Sequence, residues 1–163
     1  MHLTSLIKSV QTITKKVEDD VMYTANNVTN YILRYYHGKD VWISNLKLQK
    51  ILYFLQAQFM VSRGYPLFSD PIQAVDWGPM VESVYHNYKI FGSASIPIIH
   101  QENYPYFIDG EDMKLIGDVL DYVEPYSATT LLNVIHNQAP WKKAYYGGRG
   151  YISNNDLREY FKN

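Results

Sequence analysis

The stretch Ser44–Gly64, SNLKLQKILYFLQAQFMVSRG, decides the fold. Ser44 is a favourable N-cap and Gly64 a favourable residue just beyond a helix end. Between them, the apolar residues fall on two stripes that lie roughly opposite each other, one made of Leu48, Ile51, Leu52, Leu55 and Phe59 and one made of Leu46, Tyr53, Ala57, Met60 and Val61. A helix that is apolar on two sides is enclosed within a domain. The sequence therefore predicts a central buried helix over about residues 45–63.

A line of polar residues separates the two stripes. Gln49, Gln56 and Arg63 follow one another at intervals of seven residues and share one face of the helix. Polar groups this close to a core need hydrogen-bond partners. Two interpretations stay open, structural hydrogen bonding and a polar recognition groove.

The segments around this helix predict a mainly α fold, a compact single domain of six to seven helices with one or two short β-strands. Asp109, Ser127 and Ser153 are expected helix caps, and the helix after Ser127 is expected to end at Asn137–Trp141.

Alternation predicts a strand over about 72–77, and Pro97 suits an edge strand over about 96–99. Trp77-Gly78-Pro79 is interpreted as a strand-to-helix corner, with Pro79 at the first helical position. The next helix is expected to turn Val81, Val84, Tyr85, Tyr88 and Phe91 inward, and the helix after Asp109 to turn Met113, Ile116, Leu120 and Val123 inward.

Residues 1–20 are interpreted as an N-terminal amphipathic helix outside the main domain. One stripe carries Leu3, Leu6, Ile7, Val10, Ile13 and Val17. Such a stripe has to be covered by something, either the protein's own domain, a second copy in a homodimer, or a partner.

Composition excludes several classes of protein. Fifteen basic residues against sixteen acidic residues give a net charge of −1, which argues against a nucleic-acid binder. The absence of cysteine excludes disulfides, zinc fingers and thiol nucleophiles. No apolar run is long enough to span a membrane and no secretion signal precedes the first helix, so a cytoplasmic protein is expected. The sixteen tyrosines suit a core or a protein interface.

The candidates for chemistry are sparse. Glu82 and His86 are four residues apart on one helical face, but the zinc-binding motif H-E-x-x-H is absent. His136 stands near Trp141, as packed or capping histidines commonly do. We expect no catalytic residues, no cofactor and no metal, with an enzyme that uses His136 or His86 as the remaining alternative.

Several ordered motifs resemble the Panacea domain family, which includes SocA-like antitoxins and the phage-associated protein GepA. They are Leu46–Phe54, Gly64–Phe68, Trp77–Tyr85, Leu131–Trp141 and a closing helical segment over Ile152–Phe161, and they extend the resemblance over about residues 26–163. Two positions depart from the family pattern, Ile135 before the histidine and Met80 after Gly78-Pro79.

The resemblance implies a protein without catalysis, an antitoxin that neutralises a cognate toxin by direct binding. A protease adaptor that delivers its partner to a cytosolic protease, or a phage accessory protein, is the alternative. The residues proposed to bind the partner come from these motifs and from the polar line of the central helix, and they are Gln49, Tyr53, Gln56, Trp77, Pro79, Tyr85, His136 and Trp141. For Trp77, a role in packing the core is the competing interpretation.

Overall fold

A computed structural model describes residues 4–5, 23–97 and 107–162. From residue 23 onward the described residues form seven α-helices and three short strands, which confirms the mainly α architecture. In chain order these are α1 (Ala25–His37), α2 (Asn45–Ser62), β1 (Ile72–Val75), β2 (Gly78–Met80), α3 (Glu82–Tyr88) with a 3₁₀ turn (Lys89–Phe91), α4 (Gly110–Val123), α5 (Ala128–His136), α6 (Ala139–Tyr146), β3 (Tyr151–Ile152) and α7 (Asn154–Phe161).

Helix α2 is the centre of the core, as predicted. The Ser44 side chain accepts a hydrogen bond from the Lys47 backbone N–H, and the chain leaves the helix at Gly64 with a φ of +79°. Helices α1, α3, α4, α5 and α7 and strand β2 all pack against α2. All five residues of the first predicted stripe are fully buried. In the second stripe the prediction is wrong for Leu46 and Val61, which are more than one-third exposed because they lie at the two ends of the helix.

The three strands form an antiparallel sheet in the order β2-β1-β3. Strand β1 ends at Val75, a two-residue turn follows at Asp76-Trp77, and Gly78 enters β2 with a φ of +105°. The predicted strand-to-helix corner is therefore wrong. Pro79 is tolerated in β2 because β2 is an edge strand, where a missing N–H need not interrupt the ladder. Helix α3 begins only at Glu82.

Other predictions differ in detail. Helix α5 ends at His136, and Pro140 in the first turn of α6 begins a separate helix, because proline is favoured where no N–H is needed. Met113, predicted to point inward, is partly exposed on α4. Strand β3 was not predicted.

The predicted strand over 96–99 and the N-terminal helix are covered only in part by the described residues. Ser95 forms an isolated bridge with Ser44, and the Ile96 N–H donates to the Ile43 carbonyl at 2.9 Å. Residues 98 and 99 lie outside the described ranges, as does all of the N-terminal stripe. Within the described ranges, the helices lack the combination of length and apolar character that crossing a bilayer requires.

Candidate partner-binding surface at the hairpin turn

Side chains from three helices hold the turn between β1 and β2. Its three consecutive backbone carbonyls each accept a side-chain hydrogen bond. Trp141 Nε1 of α6 donates to the Val75 carbonyl at 3.1 Å, and Lys50 Nζ of α2 donates to the Trp77 carbonyl at 3.2 Å. Between them, the His136 Nε2 of α5 lies 2.9 Å from the Asp76 carbonyl oxygen, which makes Nε2 the protonated nitrogen of that ring. The backbone of the turn is therefore fixed residue by residue.

The Asp76 carboxylate is held as well, because the Tyr145 hydroxyl of α6 donates a hydrogen bond to it. Tyr145 also stacks on Trp141, with ring centroids 4.5 Å apart and planes 14° from parallel. The His136 ring also lies against Trp141, with ring centroids 4.3 Å apart. The same three side chains, His136, Trp141 and Tyr145, thus hold the turn and pack against one another.

The Trp77 ring lies next to the Tyr85 ring of α3, with centroids 5.1 Å apart. Both side chains are partly exposed, as are His136 and Tyr145, whereas Trp141 is buried beneath them. We call Trp77, Tyr85, His136 and Tyr145 the hairpin-turn surface. Its residues come from β1–β2, α3, α5 and α6, so only the folded domain brings them together.

Lys50 supports this surface from below and is only 1% exposed. Its ammonium donates to the Leu46 and Trp77 carbonyls and lies 5.8 Å from the centre of the Trp77 ring. Burial lowers the pKa of Lys50 to about 8, because desolvation disfavours the charged form. Among the ion pairs of the described residues, none includes Lys50. The ammonium is therefore compensated by carbonyl dipoles and an aromatic face.

The sequence did not single out Lys50, although a signal was present. Lys50 follows Leu46 by four residues and precedes Tyr53 by three, so it continues the second apolar stripe of α2. A lysine within an apolar stripe predicts either a buried ammonium or a stem that reaches out to solvent. The structure shows the first.

The structure brings together four of the eight proposed contact residues, namely Trp77, Tyr85, His136 and Trp141. Pro79 lies next to them in β2 and is buried. The prediction of a partner contact is wrong for Gln49, Tyr53 and Gln56, because their side chains are at most 1% exposed.

Gln49, Tyr53 and Gln56 instead connect elements of the core. Gln49 Oε1 accepts from the Val81 N–H at 2.7 Å, and the Tyr53 hydroxyl donates to Gln138 Oε1 at 2.7 Å. Gln56 Oε1 accepts from the Leu67 and Phe68 N–H groups, while its Nε2 donates to the Phe68 carbonyl. Of the two interpretations of the polar line on α2, the structure supports hydrogen bonding within the fold.

The other candidate for chemistry is on the surface. His86 Nε2 lies 3.4 Å from Glu82 Oε1 and its Nδ1 lies 3.1 Å from Lys89 Nζ, with all three side chains exposed. Within the described ranges, no group of three or more histidine, aspartate or glutamate residues is arranged to hold a metal ion.

These features define a small helical domain. Its hairpin turn is held by side-chain hydrogen bonds and surrounded by packed aromatic rings. Over residues 48–142 the sequence matches the family described as Antitoxin SocA-like, Panacea domain. This match spans more than half of the chain, and the protein belongs to that family. The sequence-based resemblance is thereby confirmed.

The chain is also similar to Antitoxin SocA of Caulobacter vibrioides (strain NA1000 / CB15N), with 36% identity over 75 residues. The aligned segment covers 46% of this chain and 40% of that antitoxin, so it spans less than half the length of this relative. No solved structure matches the chain. Of the residues that brace the turn, Lys50, His136 and Trp141 lie within the segment that matches the family, as does the turn itself, while Tyr145 follows it.

Proposed function

We propose that this protein is an antitoxin of a toxin–antitoxin system and that it neutralises a cognate toxin by binding it directly in the cytosol. Membership of the SocA-like Panacea family and the similarity to Antitoxin SocA support the antitoxin role. The proposal assigns the contact to the hairpin-turn surface.

The observation that carries this assignment is the bracing of the turn. Binding costs less free energy when the contact residues are already ordered, because fewer side chains lose their freedom on association. Trp77 and Tyr85 are residue types that dominate binding energy at interfaces, and both are partly exposed above a fixed backbone. Burying the Lys50 charge under the turn costs folding free energy. A role in holding the turn for a partner would account for the presence of a lysine at this position.

The proposal contains no catalytic step. His136, the main candidate for an acid–base residue, directs Nε2 at the Asp76 carbonyl and packs its ring on Trp141. These contacts support a bracing role for His136. His86 lies on the exposed face of α3 with Glu82 and Lys89.

The test is co-expression with the product of the neighbouring gene, beside a binding assay and a thermal melt of the purified protein. Trp77→Ala should weaken toxin binding by about tenfold or more and abolish rescue of growth. The matched control is Trp42→Ala, since Trp42 is exposed and contacts His37 and Asp40, neither of which belongs to the hairpin-turn surface. It should bind and rescue like the unmodified protein.

Two results would contradict the proposal. If Trp77→Ala binds the toxin normally, the hairpin-turn surface is not the contact. If its melting temperature falls in parallel with binding, Trp77 acts through the core instead. The amount of toxin in the cell distinguishes sequestration from delivery to a protease. Sequestration leaves the amount of toxin unchanged, whereas a protease adaptor lowers it.

A further inference from the structure

A basic depression adjoins the hairpin-turn surface, and the proposed contact does not use it. It is a shallow opening of about 670 Å³ lined by Lys142, Lys143, Tyr146, Gly147 and Arg149. We call these residues the basic depression. Three cations in one opening stand out in a chain whose net charge is −1.

The cations are only partly neutralised by the described part of the chain. Lys143 Nζ and an Arg149 guanidinium nitrogen approach the two carboxylate oxygens of Asp156 at 3.7 and 3.8 Å. Both distances exceed a hydrogen bond, and both cationic side chains remain more than half exposed. Lys142 is exposed and takes part in no ion pair with the described residues. The N–H donors of the depression are thus still available to a ligand.

Neighbouring groups experience the positive potential of this end of the molecule. The pKa of the Glu159 carboxyl is lowered, first by a hydrogen bond from Lys162 and further by the charges of Arg158 and Lys143. Lys143 of the depression therefore helps to stabilise a nearby carboxylate, although Lys162, outside the depression, makes the largest contribution at Glu159.

The cations are presented from ordered backbone. Lys142 and Lys143 lie within α6, and the loop that carries Arg149 is fixed on its far side by two hydrogen bonds. The Gly150 N–H donates to the Ala144 carbonyl at 3.1 Å, and the Gly150 carbonyl accepts from the Ala74 N–H at 2.8 Å. Charges on such elements recognise a ligand with less loss of entropy than charges on a free loop.

Tyr146 connects the depression to the hairpin-turn surface. Its ring is three-quarters exposed and lies edge-on to Trp141 and Tyr145, with centroids 5.8 and 5.1 Å away. Tyr146 therefore places the depression next to the aromatic side chains at the turn, so one partner could contact both.

We propose that the basic depression binds an acidic segment of a protein partner, with carboxylates paired to Lys142, Lys143 and Arg149 and the segment packed against Tyr146. The inference rests on the proposed function only where it assigns this segment to the toxin. Charge complementarity favours a carboxylate-rich peptide. A nucleic acid is less suitable, because three cations track only a short run of phosphates and the rest of the chain adds no basic excess.

The first test needs no toxin. A fluorescent dodecapeptide of alternating Glu and Gly is titrated with the protein at about 25 mM salt, where exposed charges are weakly screened. The version with Gln in place of Glu is the control peptide. The Glu peptide should bind at least about tenfold more tightly than the Gln peptide, and added salt should weaken it.

Two double variants separate the depression from overall charge. Lys142→Glu with Arg149→Glu should weaken peptide binding by about tenfold, because it reverses two of the three cations. Lys89→Glu with Lys114→Glu changes the net charge by the same amount at exposed sites outside the depression, and should leave binding nearly unchanged. Equal losses in the two variants would overturn the proposal, as would absence of peptide binding.

Further measurements test whether a nucleic acid or a second copy of the chain binds in the depression instead. Tighter binding of a single-stranded oligonucleotide of equal charge would overturn the proposal in favour of a nucleic acid. Dimerisation that the Lys142/Arg149 variant abolishes would overturn it in favour of a second copy. With the toxin, the same variant should slow association and lose the salt dependence of the rate. A protein that binds the peptide but no toxin contradicts the proposed function and leaves the depression as a peptide site.

Discussion

At the scale of single residues, Lys50 lowers the stability of the fold through its buried charge while it holds the turn of the candidate site. Its burial lowers the pKa to about 8, while lysine in an unfolded chain titrates near 10.4. Between these two values the unfolded state binds a proton that the folded state has released. The free energy of unfolding should therefore gain a contribution as pH rises from about 8 to about 10, since the penalty for a buried charge disappears.

Lys50→Met tests this account. Methionine fills the same space without a charge, so at neutral pH the variant should be at least as stable as the unmodified protein, by up to about 2–3 kcal/mol. The difference should shrink as pH rises from about 8 to about 10, in chemical denaturation measured at several pH values. Lys50→Arg is the matched control, because a guanidinium stays charged throughout this range and should show no such rise. A difference that is constant with pH would contradict the buried, titrating ammonium.

The same variant should bind the toxin less tightly. Without the ammonium, the Trp77 carbonyl loses the side chain that holds it, and the Trp77 ring loses its cationic neighbour. Weaker binding at equal or higher stability is the result expected of a positioning residue. Binding that is unchanged in Lys50→Met would show that the lysine supports only the fold.

At the scale of elements, the β1–β2 hairpin depends on Gly78. Its φ of +105° is unfavourable for any residue with a side chain, and an added Cβ would lie 2.9 Å from Leu132 Cδ1 of α5. Gly64 also has a positive φ, of +79°, but open space around the added atom. Gly78→Ala and Gly64→Ala therefore both strain the backbone, but only Gly78→Ala also brings the added Cβ against Leu132.

We expect Gly64→Ala to lower the free energy of unfolding by about 1 kcal/mol and Gly78→Ala to lower it by about 2–3 kcal/mol. Denaturant titration of both variants measures the difference. Gly78→Ala should also weaken toxin binding, because the turn that carries Trp77 has to shift. Equal destabilisation of the two variants would mean that Leu132 moves aside at no cost.

The helices could be predicted from the sequence because their signals are local. Ser44, Ser127 and Ser153 each accept a hydrogen bond from the backbone N–H three residues further on, as their positions before an apolar periodicity indicated. The hairpin could not be predicted in the same way. Pro79 suits the first turn of a helix and an edge strand equally, and only pairing with β1, which β3 flanks on the other side, decides between them.

The candidate site could be predicted only in part. Trp77 and Trp141 lie in the motifs that resemble the family, and both belong to the cluster around the turn, where Trp77 is partly exposed and Trp141 is buried. The glutamines of α2 were ambiguous, since a polar residue beside a core satisfies its hydrogen bonds either inward or toward a partner. The choice depends on which backbone groups other segments bring to it, and sequence periodicity contains no information about those.

At the scale of the whole molecule, tyrosine hydroxyls connect helices that are distant in the chain. Tyr36 of α1 donates to the Leu120 carbonyl of α4 at 2.7 Å, and Tyr53 of α2 donates to Gln138 at 2.7 Å. Tyr23 donates to Asp112 of α4 at 2.8 Å. A tyrosine buries a large ring and still supplies a donor, so one residue contributes to packing and to a bond between elements. Part of the high tyrosine content thus serves the core.

These bonds make the fold sensitive to alkali. Burial raises the pKa of Tyr23 to about 12, and it also raises the pKa values of Tyr36 and Tyr53. Because each folded pKa lies above the unfolded value near 10, the stability from these protons is complete below pH 10 and is lost as pH rises further. The buried pair Tyr36 and Tyr53 alone should remove about 2–3 kcal/mol per pH unit above this point. Above about pH 10 this loss opposes the gain from Lys50, which is complete near the same pH.

We expect a cooperative alkaline transition in which the share of the tyrosinate absorbance that comes from the buried phenols follows the same curve as the loss of far-ultraviolet circular dichroism. A buried phenol can ionise only when the helices around it separate, so its titration reports unfolding. Tyr53→Phe should make the transition less steep, because one linked proton is removed, although loss of the bond to Gln138 lowers stability by about 1–2 kcal/mol. Tyr122→Phe, at a ring that is mostly exposed, is the matched control and should leave the steepness unchanged. Tyrosines that all ionise before the circular dichroism changes would show that Tyr36 and Tyr53 are not linked to folding in this way.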